Sequence, residues 1–136
     1  MITEDYVSFE TAKLLKDKGF DERTDTSYIA DNKDRPMVKV GNLVYFPNTE
    51  PHRIAAPTLQ MARKWLREEH GIDIDICFEI LSIHQYANNE KRYSYTIFKT
   101  KDNVATRLYG YSGYMKYEEA AEAALNLCLR KLNDII

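Results

Sequence analysis

The run Ile72-Asp73-Ile74-Asp75-Ile76-Cys77-Phe78-Glu79-Ile80 alternates apolar and polar residues without a break. Successive side chains of an extended chain point to opposite faces, so this period of two demands a β-strand that is dry on one side and wet on the other. A helix would spread the same residues around its whole circumference. The rest of the chain must therefore supply neighbours for this strand and a cover for its apolar face.

The neighbours follow directly. The strand reads as Ile72 to Tyr86, its partner as Tyr93 to Lys101 and a third as Val104 to Tyr111, with Asp102-Asn103 as a two-residue hairpin turn. That corner pairs Lys101 with Val104, Lys99 with Thr106 and Ile97 with Leu108, and sets Phe98 opposite Arg107 and Thr96 opposite Tyr109. The first turn keeps its parity with either a two-residue Asn88-Asn89 corner or a four-residue loop. One face then collects Ile72, Ile74, Ile76, Phe78, Ile80, Tyr95, Ile97 and Leu108 as core. The other face is polar at the Asp73-Asp75 end and apolar in its middle, at Leu81, Ile83, Phe98 and Tyr109, with Arg107 and Tyr111 beside them. A one-residue slip would exchange the two sets. A second face this apolar is seldom left in water, so it is expected to pack under a helix or meet another chain.

The cover comes from three helical patterns. Helix one spans Ser8 to Lys18, with Ser8 as N-cap and Gly19 as left-handed exit. Helix two starts near Pro57 and ends at Gly71, with Leu59, Ala62, Trp65 and Leu66 as its stripe. The last runs from Tyr117 to Ile136, and Lys116 stands where a capping Ser or Thr is expected. Tyr28 to Ala30 and Met37 to Phe46 read as short strands, and Pro47 to Ala56 as a loop. The order is α-β-β-α-β-β-β-α. Tight connections rule out parallel crossovers, so the expectation is an α+β fold with a mostly antiparallel sheet packed by helices. At 136 residues it should form a single domain over 1–136.

The N-terminus is acidic and lacks the apolar stretch of a signal peptide, and no run reaches membrane-span length. Cys77 and Cys128 lie outside any zinc spacing and read as free thiols of a reducing cytoplasm. No phosphate loop, nucleophile elbow or H-E-x-x-H occurs. The expectation is a protein that is not an enzyme and needs no cofactor.

Three stretches carry a resemblance. They are Ser8-Phe9-Glu10-Thr11-Ala12-Lys13-Leu14-Leu15 with Gly19-Phe20, the segment from Ala55-Ala56-Pro57-Thr58-Leu59-Gln60-Met61 to Glu68, and Tyr117-Glu118-Glu119-Ala120-Ala121-Glu122-Ala123-Ala124-Leu125. Together they resemble a set of small uncharacterised proteins of Bacteroides-type gut bacteria and their phages or prophages. The resemblance implies a cytoplasmic accessory protein of a mobile element and assigns no functional residue.

Two surfaces compete for function. The apolar middle of the second face, Leu81, Ile83, Phe98 and Tyr109, suits protein–protein interaction, most simply a homodimer. The hairpin 91–116 offers the alternative, with six basic residues against one acid, interleaved with tyrosines. Single-stranded nucleic acid binding needs cations for phosphates and rings for bases, and Arg92, Lys99, Lys101, Arg107, Tyr109 and Tyr111 would supply them. The net charge of -2 gives no whole-chain attraction to a polyanion. Asp73, Asp75 and Glu79 share one strand side without a turn to wrap a cation, so no metal is expected. His70 suits a helix C-terminus, His84 the core, and His52 a proline-flanked loop.

Overall fold

The computed structural model of the chain describes residues 2, 4–29, 38–39, 47–81 and 90–135. Ser8 caps α1 (Phe9–Asp17), its hydroxyl accepting the Thr11 amide. The chain then forms β1 (Thr26–Ile29), β2 (Val38–Lys39), a single 3-10 turn (Pro47–Thr49) and β3 (Arg53–Ala55). Next come α2 (Leu59–His70), β4 (Ile72–Leu81), β5 (Glu90–Lys101) and β6 (Val104–Tyr114). The chain closes with α3 (Tyr117–Arg130) and a short α4 (Leu132–Ile135). The α+β class and the expected order hold, with β3 added inside the stretch read as a loop.

Where one sheet was expected, the described strands form two, both antiparallel: β2-β1-β3 and β4-β5-β6. The small sheet is tied to helix α2 by the N-terminal segment. Val7 donates to the Pro57 carbonyl at 3.0 Å, and Leu59 to that of Asp5 at 2.9 Å. Asn48 explains why the presumed loop pairs as a strand. Its amide nitrogen donates to the Phe20 carbonyl and its oxygen accepts from Ala55, both at 2.7 Å, which pins β3 against the end of the α1 connection. Helix α2 begins two residues later than Pro57 suggested, because the Thr58 hydroxyl accepts the Met61 amide and so takes the cap. Gly71 ends α2 at φ 65°, and its carbonyl accepts from Thr100 at 2.8 Å. The last helical stretch breaks at Lys131, and Lys116 makes no side-chain cap bond.

The β4–β5 register places Ile72, Ile74 and Ile76 opposite Lys99, Ile97 and Tyr95, as parity required. Asp102 and Asn103 both adopt positive φ, the twist a two-residue hairpin turn needs. Helices α2 and α3 cover one face of this sheet, and α1 packs on α3. The core is one contiguous cluster running from Val7 through Trp65 and Ile97 to Leu132. At about 1.5 Å per residue, the 12-residue α2 spans roughly 18 Å, whereas the 10 residues of β4 span roughly 33 Å. The strand therefore outruns its cover. Phe78 and Ile80, expected in the core, are 60% and 64% exposed.

Candidate functional site

The residues proposed for the second sheet face do not assemble as expected. The β5–β6 ladder starts in the expected register, with Lys101 opposite Val104 and Phe98 opposite Arg107. It then slips by one, so that Ile97 pairs with Tyr109 instead of Leu108. Leu108 is the extra residue of a β-bulge, and the side chains from Tyr109 to Tyr111 change face. Tyr109 and Tyr111 consequently join Ile97 and Tyr95 on the helix-covered face and leave Phe98 behind. Leu81 ends β4 opposite Glu90, and Ile83 and His84 lie outside the described residues.

The outer face is thus more polar than its sequence suggested. Around the half-buried Phe98 stand Asp73, whose carboxylate accepts from Thr100 at 2.9 Å, and Arg107, whose guanidinium lies over Gly110. Arg92 is engaged by Glu90. Cys77 is exposed and donates to Asp75 at 3.0 Å, a bond that holds its thiol above the ordinary range. The nucleic-acid set is divided as well. Arg92 and Arg107 occupy the outer face, whereas Lys99, Lys101, Tyr109 and Tyr111 share the inner parity. The Lys99 ammonium is held at the C-terminus of α2, donating to the His70 carbonyl at 2.6 Å.

Two surfaces emerge in their place. The first is the overhang of the β4–β5 hairpin beyond the helices. Phe78 and Tyr93 are cross-strand neighbours, and the Lys91 ammonium lies 5.0 Å from one ring centre and 5.1 Å from the other. Tyr117, at the start of α3, stands edge-on to Tyr93 at 6.0 Å and accepts from Arg63 at 2.7 Å. Arg63 also donates to the Ile74 carbonyl at 2.7 Å, so the base of the overhang is braced by α2. Exposed Met115 lies two residues before Tyr117.

The second is an open cleft of about 1200 Å³, lined by the N-terminal segment, one stripe of α3 and the end of β6. Gly113, at φ 98°, allows a second slip that brings Tyr114 opposite Tyr93. Tyr95 then touches two rings, Tyr111 at 5.7 Å and Tyr114 at 5.8 Å. Burial, followed by the neighbouring Tyr114, pushes the Tyr95 hydroxyl far above its usual range. Across the cleft the Tyr28 hydroxyl donates to the Val7 carbonyl at 2.8 Å, and burial with the Glu122 charge raises it too. Glu122 braces the floor, one carboxylate oxygen accepting from the Ser8 amide, the Ser8 hydroxyl and the Thr11 hydroxyl. This ties the start of α1 to the middle of α3. Among the described residues no group of three or more His, Cys, Asp or Glu is arranged to hold a metal ion.

Straight alternation placed Tyr95 on the correct face but Tyr111 on the outer one, so sequence reasoning missed the meeting of these rings in the cleft. The signal was present in Gly110 and Gly113, since glycine inside a strand marks bulges. No protein-family profile, curated protein or solved structure matches the chain.

Proposed function

We propose that the chain is a non-enzymatic accessory protein that acts by binding another protein chain, in the simplest case a second copy of itself. The observation that carries this reading is the overhang. Phe78 and Ile80 continue the apolar face that forms the core, yet stand 60% and 64% exposed beyond the ends of the helices. Full burial of such side chains is worth about 1.5–3 kcal/mol each, so covering them is a ready source of association energy. The contact expected at the apolar middle of the outer face moves to the other face and to the far end of the hairpin. The resemblance noted in the sequence adds the context of a cytoplasmic protein of a phage or other mobile element.

Light scattering over a concentration series tests the reading. The wild-type protein should reach twice the chain mass by high micromolar concentration. Phe78→Glu should hold it at the monomer mass with an unchanged far-ultraviolet circular dichroism spectrum, and Phe98→Glu, on the opposite face, should leave the dimer intact. A wild-type monomer throughout would sink the self-association reading.

A further inference from the structure

The hydrogen-bond parity of β4 shows which of its backbone groups are spare. Gly71 accepts from Thr100 at 2.8 Å, so its carbonyl faces β5, and in an antiparallel ladder this direction alternates with each residue. The odd-numbered residues from Asp73 to Leu81 therefore bond to β5, and the even-numbered ones from Ile72 to Ile80 turn their N–H and C=O groups to the outer edge. Arg63 agrees with this parity, since its guanidinium reaches the Ile74 carbonyl from that side at 2.7 Å. It also closes the edge there. Among the described residues no strand pairs with this edge of β4, which leaves the backbone of Ile76, Phe78 and Ile80 open at the overhanging end. The other edge of the sheet, β6, is interrupted by the Leu108 bulge and by Gly110 and Gly113, features that discourage pairing.

We propose that two copies of the chain join by antiparallel pairing of this edge, β4 against β4, with a two-fold axis at Phe78. The pairing rests on the self-association reading and names the strand that carries it. Three observations place the axis. The open residues are centred on Phe78, and pairing there forms about six backbone hydrogen bonds from Ile76, Phe78 and Ile80. The carboxylates of Asp73, Asp75 and Glu79 exclude neighbouring registers, because like charges directly opposite are destabilising. An axis at Cys77 would set Asp75 against the partner's Glu79, one at Ile76 would set Asp73 there, and one at Glu79 would set that residue against itself. An axis at Ile80 keeps only Glu79 to Leu81 paired within the strand. With the axis at Phe78, Glu79 faces the partner's Cys77 and no acid of the strand meets another. Finally, the antiparallel sense lays exposed Ile80 beside the partner's Ile76, which packs against the core at the end of the helical cover. Each overhang is closed by the other copy, and such an isologous pair leaves no β4 edge for a third.

Disulfide trapping reads the register. Glu79→Cys, gently oxidised at a concentration where the protein is dimeric, should give a covalent dimer in which peptide mapping joins position 79 of one copy to the partner's Cys77. Facing residues of a non-hydrogen-bonded pair lie about 4.5 Å apart at Cα, within disulfide reach. In the wild-type protein the two Cys77 residues stand on a diagonal, roughly 7–8 Å apart, and should stay unlinked under the same conditions. Ile80→Pro tests the backbone. It removes an outward N–H and no bond to β5, a position at which an edge strand tolerates proline. It should raise the dimer dissociation constant on the order of ten-fold more than Ile80→Ala does, since a hydrogen bond is lost from each copy. Contact through side chains alone gives the reverse order, because proline keeps more apolar surface than alanine. Circular dichroism checks that both variants are folded. Four results would overturn the pairing while leaving the self-association reading in place: a wild-type dimer linked through Cys77 itself, no link in the Glu79→Cys variant, a link between the two copies' position 79, or Ile80→Pro dimerising as tightly as Ile80→Ala. A wild-type monomer by light scattering would remove both.

Discussion

At the scale of single residues, Gly71 and Cys128 carry the clearest consequences. Gly71 combines a left-handed backbone with a close approach, since a methyl group there would meet the Thr100 carbonyl oxygen at 2.9 Å. Gly113 shares the positive φ but has nothing within 4 Å of that position. Gly71→Ala should therefore cost about 1–3 kcal/mol, and Gly113→Ala distinctly less, as read from urea midpoints. Equal costs would show that the contact with Thr100 is immaterial. Cys128 lies fully buried in α3, and burial pushes its thiol from 9.0 to about 12. The unfolded chain then loses this proton first as pH rises. The stability it contributes is complete below pH 9 and falls away between 9 and about 12. Cys128→Ala should flatten the alkaline decline in melting temperature over that window, and in native protein a thiol reagent near pH 8 should label Cys77 alone.

At the scale of elements, the β6 bulge decides more than any single side chain. By adding Leu108 to one side of the ladder it turns Tyr109 and Tyr111 to the inner face, Tyr109 packing against the core and Tyr111 staying exposed, and separates them from Arg92 and Arg107. Single-strand binding requires rings and cations on one surface, so that stacked bases and tracked phosphates belong to the same strand. With both arginines on the face opposite the tyrosines and the Lys99 ammonium already bonded to the His70 carbonyl, fluorescence anisotropy with a labelled single strand should show no binding at tens of micromolar protein in low salt. Measurable binding, weakened by both Arg107→Ala and Tyr109→Ala, would restore the nucleic-acid reading. The overhang is likewise a property of elements, because a strand advances about twice as far per residue as a helix. A chain that pairs a 10-residue strand with a 12-residue helix leaves the end of the strand uncovered.

At the scale of the whole molecule, two small sheets share one core. Phe20, reached from the end of α1, packs on Trp65 of α2 at 5.5 Å, and Trp65 meets His70 at 4.9 Å. The Glu122 carboxylate joins α1 to α3, and the Asp5–Val7 segment joins the small sheet to α2. Trp65 therefore sits where the two halves meet, and its fluorescence should report the same unfolding event as the helix signal. Urea curves from Trp65 emission and far-ultraviolet circular dichroism are expected to coincide, and separated midpoints would mean that the halves come apart independently. What the sequence determined by itself was local. The period of Ile72 to Ile80, the caps at Ser8 and Gly71 and the Asp102-Asn103 turn each depend on residues a few positions apart, and they are legible in the α+β class and order of elements. Which face the β6 tyrosines occupy, which isoleucines and phenylalanines are covered, and where a charged cleft opens were decided only by the tertiary structure. Gly110 and Gly113 mark that β6 can bulge, but which slip it takes turns on packing against the helices, and burial at Phe78 turns on where a distant helix ends.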